Sequence, residues 1–313
     1  MAIFGNNGKH AKKGFNILPL VIALVLVVAV GATVLITTMN NNDDEQQIRP
    51  TEFVEHETEK IKKGEKITIN DPSLGMIEID AVAGFAKNVY ENDNFIIDDK
   101  GMMTYYIDNE VASCMGVDLS EYQGDVDFNK VKAQGFDFVM LRLGGRYYGE
   151  EGDFYMDSKF YDYFEGAKDA GLRVGGYFFS QAKNAEEAVE EANYFLKQTK
   201  GLEFDYPVAF DWETIEGDSA RTDNVSSEDL TAAAIAFCDT IKESGNTAII
   251  YSNTYLMYYK YNLEELKDID FWVADYEEHP SMYYNFTMWQ YDIEGQVDGI
   301  EGNVDMNICM KNY

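Results

Sequence analysis

Acidic residues recur at one kind of position in this chain, at the end of a short apolar run. In YPVAFDWE the apolar stretch is followed by Asp211 and, two residues later, by Glu213. Asp118 closes GVD, Asp275 closes WVAD, and Asp305 closes NVD. Alternate residues of a strand point to the same face, so Asp211 and Glu213 are expected to project together. Paired carboxyl groups are the usual machinery for acid catalysis at a glycosidic bond.

Acidic residues are so abundant here that a single motif proves little. The chain has 56 Asp and Glu among 313 residues, so an Asp-x-Glu arises by chance and most carboxylates simply face solvent. The apolar setting is the distinguishing feature, because a buried strand end is an unfavourable place for a carboxylate without a function. We therefore predict a carboxylate site built from Asp118, Asp211, Glu213 and Asp305.

Aromatic and polar side chains accompany these acids, and they can either pack in a core or contact a sugar. The predicted substrate-binding residues are Tyr177, Phe178, Tyr251, Trp272, Asp275, Tyr276, Trp289 and Gln290. The sequence has three His and three Cys without HExxH or CxxC spacing, and the Gly144-Gly145 pair fits no phosphate or dinucleotide motif. Carboxyl groups with aromatic rings favour glycoside hydrolysis, and we predict neither a metal nor a cofactor.

Eight short apolar runs are the elements that would position these residues. The predicted strands are 115–119, 136–143, 172–180, 206–213, 247–252, 271–275, 287–291 and 303–308. Helical patterns lie between the first five strands, the clearest at 159–170, 185–200 and 227–244. Asn184 and Ser226 are the predicted N-caps of the last two.

This alternation implies βαβ units and a parallel sheet. About 200 residues is short for a complete eightfold barrel, which typically needs ~250, and the last three strands lie too close together for a helix each. We predict an α/β fold, an irregular (β/α) barrel with about eight strands, five helices and a helix-poor final third. Function in such barrels gathers at the carboxyl ends of the strands.

The composition allows a large core and excludes one class of partner. Hydrophobic residues make up 46% of the chain, whereas the net charge is −31. A surface this negative repels phosphate backbones, so no nucleic-acid partner is expected.

The amino-terminal region carries a candidate membrane helix. Residues 17–36 read ILPLVIALVLVVAVGATVLI, without a charge, and Lys9, Lys12 and Lys13 precede them. These features predict a cytoplasmic tail at 1–16, a single transmembrane helix at 17–39 and an extracytoplasmic remainder. The alternative is a cleaved signal peptide, for which Ala29-Val30-Gly31 is an acceptable site, and the protein would then be secreted.

Residues 40–112 are predicted to form an extracytoplasmic stalk and a small β-containing spacer. The stretch 41–66 is dense in charge, and residues 95–107 contain two β-prone runs around Asp98-Asp99-Lys100-Gly101, which predicts a hairpin. No function is assigned to this region. The catalytic domain is predicted at 113–313.

From residue 115 to the C-terminus, the ordered segments resemble glycoside hydrolase family 25, the N-acetylmuramidase lysozymes. The segments that carry the resemblance are GVDLSEYQGDVDF, FVMLRLGG, LRVGGYFFSQA, YPVAFDWE, FWVADY, MWQY and VDGIEGNVDMN. The resemblance implies an irregular barrel that cuts the β-1,4 bond between N-acetylmuramic acid and N-acetylglucosamine of peptidoglycan. By motif match it makes Glu213 the proton donor and Asp211 the residue that orients the acetamido group or stabilises charge at the anomeric carbon. Asp118 and Asp305 would line the same pocket.

Two other interpretations remain open at this point. A catalytically weak peptidoglycan-binding scaffold of a cell-envelope machine would keep the aromatic residues but would have no need of all four carboxylates. A chitinase-like barrel also ends a strand in Asp-x-Glu, but it carries further aspartates upstream where this chain has VAF.

For the catalytic reaction, we expect Glu213 to hold its proton among like charges and apolar walls. The aspartates are expected to be better solvated and ionised.

Overall fold

The computed structural model describes residues 59–71 and 74–313. The predicted cytoplasmic tail and transmembrane helix lie outside these residues, as does most of the predicted stalk. Within the described part of the chain, no helix has the length and apolar character needed to cross a membrane.

Residues 59–112 contribute two small antiparallel sheets. The first pairs β1 (Lys66–Asp71) with β2 (Gly75–Asp80), and the second contains β3 (Phe95–Ile97), β4 (Met103–Ile107) and β5 (Glu110–Val111). Phe95 pairs with Tyr105 across β3 and β4, so the hairpin predicted around residues 98–101 is confirmed.

The rest of the chain forms an eight-stranded barrel, and each predicted strand is present. The barrel strands are β6 (Cys114–Leu119), β7 (Phe138–Arg146), β9 (Arg173–Ser180), β10 (Val208–Trp212), β11 (Ala248–Asn253), β12 (Asp270–Ala274), β13 (Met288–Gly295) and β14 (Val304–Cys309). They pair in this order, and β14 returns to β6 to close the barrel. A further short strand, β8 (Phe154–Met156), lies antiparallel against the end of β7.

The last strand departs from the predicted parallel arrangement. β14 is antiparallel to both of its neighbours, whereas β6, β7 and β9 to β13 pair in parallel. The physical reason is the short connection at 296–303, because a parallel crossover needs about a dozen residues or more. The amino end of β14 therefore meets the carboxyl end of β6, and Asp305 lies in register with Asp118.

Five α-helices accompany the strands, as predicted. They are α1 (Phe128–Ala133), α2 (Phe160–Asp169), α3 (Ala185–Gln198), α4 (Ser227–Glu243) and α5 (Thr254–Tyr259). The predicted caps form, since the side chains of Asn184 and Ser226 accept hydrogen bonds from the third residue of α3 and α4. The strands after α5 follow one another through loops and a single 3-10 turn at Leu263–Glu265, so the final third is poor in helix.

The inside of the barrel is filled at one end and open at the other. Buried side chains of alternate strand positions fill the interior, and they are Cys114, Phe138, Met140, Tyr206, Ala209, Ile249, Trp272, Met288 and Cys309. The rings of Phe138 and Tyr206 stack in parallel with their centroids 4.3 Å apart. Because these side chains fill the amino-terminal end, the open part of the barrel interior lies at the carboxyl ends of the parallel strands.

The segment before the barrel shares the barrel's outer core. The ring of Phe95 lies 5.3 Å from the ring of Trp289 on β13, and Phe85 lies 6.1 Å from Phe271 on β12. The hydroxyl of Tyr90 donates to a backbone carbonyl beside β13 at 2.9 Å. Residues 59–112 therefore cover apolar barrel surface that would otherwise face water.

This packing predicts that Phe95→Ala destabilises the barrel and not only the hairpin. Phe95 is 6% exposed, and truncation of a buried Phe costs about 3–5 kcal/mol of unfolding free energy. The neighbouring Ile96 is 51% exposed, so Ile96→Ala should cost about 0.5 kcal/mol or less. Denaturant unfolding followed by tryptophan fluorescence measures both variants. Equal losses of unfolding free energy in Phe95→Ala and Ile96→Ala would show that the hairpin does not stabilise the barrel.

Candidate active site

Strand alternation decides which side chains enter the open end of the barrel. On β10, Val208 and Phe210 point outward into the core beneath the helices, while Ala209 and Asp211 point inward. The same alternation on the other strands creates a cleft of about 170 Å³ at the barrel mouth. It is lined by Asp118, Arg142, Tyr177, Phe179, Asp211, Glu213, Tyr251, Trp272, Gln290 and Asp305.

All four predicted catalytic acids meet in this cleft, and they form two pairs. Asp211, near the end of β10, and Glu213, just after it, are close enough to share a proton. Asp118 of β6 and Asp305 of β14 face each other across the closing seam and can also share one. Ionisation of both members of such a pair is unfavourable, because burial and the neighbouring negative charge both disfavour the second carboxylate. Each pair therefore favours a state that keeps one proton.

Burial dominates the electrostatics of the Asp211–Glu213 pair. Asp211 is 4% exposed, and burial together with the adjacent Glu213 raises the pKa of its carboxyl well above its usual range. One oxygen of Asp211, Oδ1, is buried without a hydrogen-bond partner among the described residues. Burial also raises the pKa of Glu213, which is only half-buried and so reaches the space a ligand would occupy.

Two amides hold the Asp118–Asp305 pair. Gln290 and Asn307 each donate to Oδ2 of Asp118 at 2.8 Å. These bonds favour the carboxylate, but burial and the negative charge of Asp305 outweigh them and raise the pKa of Asp118 well above its usual range. Burial raises the pKa of Asp305 to about 6.

The expectation that the aspartates are better solvated than Glu213 is therefore wrong for Asp118 and Asp211. Asp118 is 7% exposed and Asp211 4%, whereas Glu213 is half-buried. Their positions inside closed strands keep them from water, while Glu213 stands one residue beyond the end of β10.

The backbone that carries Glu213 is anchored to the neighbouring loop. The amide of Gln181, a fully buried residue after β9, donates to the carbonyl oxygen of Glu213 at 3.1 Å and accepts from the hydroxyl of Thr222 at 2.8 Å. The indole of Trp212 donates to the carbonyl of Ala182 at 3.1 Å. These bonds fix the position of Glu213 although its side chain stands outside the strand.

Five of the predicted substrate-binding residues lie in or beside the cleft. Tyr251 and Tyr276 both donate their hydroxyls to Oε1 of Gln290, at 2.9 and 2.6 Å. Trp272 forms part of the floor, with its ring 4.8 Å from that of Tyr251, and Tyr177 lines the wall. Tyr276 is 52% exposed at the rim, so its ring is the most accessible of these to a sugar.

The other three predicted residues point away from the cleft. Phe178 is fully buried beneath α3, where its ring lies 6.1 Å from that of Tyr194. Trp289 packs against Phe95, and Asp275 accepts a backbone N–H of the following loop at 2.6 Å. Phe178 and Trp289 are each adjacent to an inward-facing residue on the same strand, so alternation turns them outward, whereas Asp275 follows the end of β12.

Alternation also identifies three residues that the sequence interpretation missed. Phe179 follows Tyr177 by two residues, Arg142 follows the buried interior residue Met140, and Asn307 follows Asp305. Asn307 also accepts the indole N–H of Trp272 at 2.8 Å. Counting in steps of two from known inward positions would have found them.

The site can stabilise positive charge and supply a proton, which is the chemistry of glycosidic cleavage. Among the described residues, no three His, Cys, Asp or Glu side chains are grouped so that they could hold a metal ion.

The raised pKa of Asp305 predicts that this site costs stability at neutral pH. A carboxyl group with a pKa of about 6 in the folded state binds its proton more tightly than in the unfolded chain, so stability falls as pH rises from about 4 towards 6. Asp305→Asn should raise the unfolding free energy by roughly 1–3 kcal/mol at pH 7 and by much less at pH 4.

Urea unfolding at the two pH values measures this difference. Asp99→Asn, at an exposed hairpin position, is the matched control and should change stability little at either pH. A gain for Asp305→Asn that is equal at both pH values would contradict the electrostatic origin of the cost.

Comparisons with known proteins agree with the fold and the acidic cleft. The family model described as glycosyl hydrolases family 25 matches residues 117–300, more than half of the chain. The chain is 34% identical over 194 residues to the autolytic lysozyme of Clostridium acetobutylicum, which covers 61% of this chain and 54% of that protein. It is 26% identical over 209 residues to lysozyme M1 of Streptomyces globisporus, covering 63% of this chain and 68% of the relative.

Among solved structures, the spore cortex lytic enzyme SleM of Clostridium perfringens aligns with a TM-score of 0.55 and 25% identity. This alignment covers 64% of the present chain and 68% of SleM. The chain thus spans about half the length of the autolytic lysozyme and about two thirds of the other two proteins. On the extent of the family match, the chain belongs to glycosyl hydrolase family 25.

Proposed function

We propose that this protein is a cell-wall hydrolase that cleaves the β-1,4 bond between N-acetylmuramic acid and N-acetylglucosamine in peptidoglycan. The observation that carries the proposal is the Asp211–Glu213 pair, with its raised pKa values, at the mouth of a family 25 barrel. The similarity to two proteins named lysozymes supports this choice of substrate.

Glu213 is the general acid in this mechanism. It is the more accessible member of its pair, and it donates its proton to the leaving glycosidic oxygen. As the bond breaks, positive charge develops at the anomeric carbon, and the carboxylates of the cleft stabilise it. The oxygen of a water molecule then bonds to that carbon, and the proton that this water loses restores the acid form of Glu213. Asp211 lies directly beneath Glu213, while Gln290 and Asn307 fix Asp118 on the opposite wall.

The aromatic rings position the glycan for this step. Tyr177 and Tyr251 line the wall, and Tyr276 stands at the rim, where an apolar sugar face can pack against its ring. The hydroxyls of Tyr251 and Tyr276 are already engaged with Gln290, which holds the two rings in place.

The direct test is digestion of purified peptidoglycan by the full chain, with the new reducing ends identified by mass spectrometry. Reducing ends on muramic acid support the proposal. Reducing ends on glucosamine would assign the opposite bond, and binding without cleavage would favour the scaffold interpretation.

Glu213→Gln keeps the shape of the side chain but removes the proton it transfers. We expect turnover to fall at least ~10²–10⁴-fold while glycan binding survives. Glu216→Gln, three residues away and exposed, is the matched control and should retain activity. In the wild type, activity should peak at mildly acidic pH and decline as Glu213 deprotonates. Near wild-type turnover by Glu213→Gln would show that another group is the acid.

We further propose that residues 17–39 anchor the protein in the cell membrane, with residues 1–16 cytoplasmic and the catalytic domain at 113–313 outside. The support is the uncharged apolar run behind three lysines. Such an anchor would keep residues 40–112 outside the membrane and would place the enzyme among the protein complexes of the cell envelope.

Protease added to intact protoplasts tests this topology. The anchored form should lose its extracytoplasmic part and leave a short membrane-bound fragment. Recovery of a soluble protein that begins near Ala32 would instead establish cleavage of a signal peptide and a secreted enzyme.

A further inference from the structure

Arg142 is the one basic side chain among the described residues that line the cleft. It projects inward from β7, and its side chain is only 10% exposed. Burial of a guanidinium is costly unless acceptors surround it, so its place in the cleft needs a physical reason.

Most of the hydrogen-bonding capacity of Arg142 is unused. Its Nε donates to Asp157 at 2.8 Å, and its Nη2 is buried without a hydrogen-bond partner among the described residues. Glu121 forms an ion pair with Nη2 at 3.7 Å, which is too long for a hydrogen bond. The guanidinium is therefore held in place by Asp157 with donors left for another acceptor.

Two tyrosine rings flank the guanidinium and extend the cleft toward solvent. The central carbon of Arg142 lies 4.9 Å from the ring centroid of Tyr122 and 5.9 Å from that of Tyr155. Tyr122 is 81% exposed. Stacking on aromatic faces orients the planar guanidinium, and this geometry suits bidentate recognition of a carboxyl group.

The four acids of the cleft disfavour binding of a ligand's carboxyl group at any position other than beside Arg142. Asp118, Asp211, Glu213 and Asp305 disfavour a second negative charge near them, so an anionic substituent must enter beside the cation. In the glycan of the proposed function, the two sugars differ by the O-linked lactyl group of muramic acid. Its carboxyl is either free or joined by an amide bond to a peptide.

We propose that Arg142 binds the carboxyl oxygens of this lactyl substituent and so selects muramic acid-containing glycans over glycans of N-acetylglucosamine alone. The inference rests on the proposed function. In it, Arg142 and its two flanking tyrosines form a subsite for the substrate. Arg142 acts there as a specificity-determining residue and takes no part in proton transfer.

Binding of two probes to the full chain in the Glu213→Gln background tests the inference. One probe is a tetrasaccharide of alternating N-acetylglucosamine and N-acetylmuramic acid with free lactyl carboxyls, and the other is tetra-N-acetylchitotetraose. Arg142→Gln should raise the dissociation constant of the muramyl probe about tenfold to a hundredfold, the usual worth of a hydrogen bond to a charged group. The chitotetraose constant should change less than about twofold.

Two matched variants separate recognition from general effects of charge and folding. Arg142→Lys keeps the charge but loses the planar fork, so it should recover only part of the affinity. Arg173→Gln removes the same charge from β9 beside Tyr206, in the plugged end of the barrel, and should leave both constants unchanged. Equal weakening of both probes by Arg142→Gln, or no weakening of either, would overturn the inference.

A modified probe keeps the test decisive if Arg142→Gln fails to fold. Reduction of the lactyl carboxyls to alcohols should weaken binding to the chain with Arg142 intact by about tenfold or more, and unchanged binding would overturn the inference. Failure of the proposed function has a different readout. In that case, peptidoglycan incubated with the wild-type chain would gain no reducing ends on muramic acid.

Discussion

Mutual repulsion between carboxyl groups in a largely buried cleft is the constraint on which the site depends. Asp211 with Glu213 and Asp118 with Asp305 place four acids in a space of about 170 Å³. Neither pair can lose both protons without placing like charges side by side where little water screens them. The fold thereby keeps a transferable proton at a pH where isolated carboxyl groups in water have lost theirs. The same repulsion is unfavourable for folding, so the site is maintained at the expense of stability.

The last strand, two side-chain amides and the filled barrel interior together position these acids. The antiparallel last strand brings Asp305 to Asp118, although it enters the barrel from the direction opposite to its neighbours. Gln290 and Asn307 tie Asp118 to the tyrosines and to Trp272. The stacked rings of Phe138 and Tyr206 fill the barrel interior below the acids. The carboxyl groups therefore stay at the open end of the barrel.

Local patterns in the sequence were sufficient for the eight barrel strands, for two helix starts and for the four acids that meet in the cleft. Apolar runs predicted each barrel strand, and Asn184 and Ser226 marked two helix starts because capping is a local interaction. Alternation was applied to Asp211 and Glu213 but not to Phe178 and Trp289, which the strands turn outward. A rule of period two cannot place both members of an adjacent pair, such as Trp289 and Gln290, in one cleft.

Other features depend on contacts between distant parts of the chain, which a single sequence does not display. The packing of Phe95 on Trp289 joins residues almost two hundred positions apart, so the region before the barrel looked like an independent spacer. The burial of Asp118 results from closure of the barrel by β14, and the role of Asn307 appears only once that strand is known to be antiparallel. Solvation is a property of the whole fold, and the expectation of solvated aspartates failed for this reason.

The central claim is that the carboxyl pairs keep protons near neutral pH, and carboxyl ¹³C NMR of the full chain labelled at Asp and Glu tests it most directly. A titration from pH 3 to 8, with signals assigned through the Asn and Gln variants, follows each group separately. The account predicts that Asp305 titrates near pH 6 and that the Asp211–Glu213 pair releases its last proton well above the range of ordinary carboxyl groups. Titration of all four groups near pH 4, as for solvated carboxylates, would contradict it.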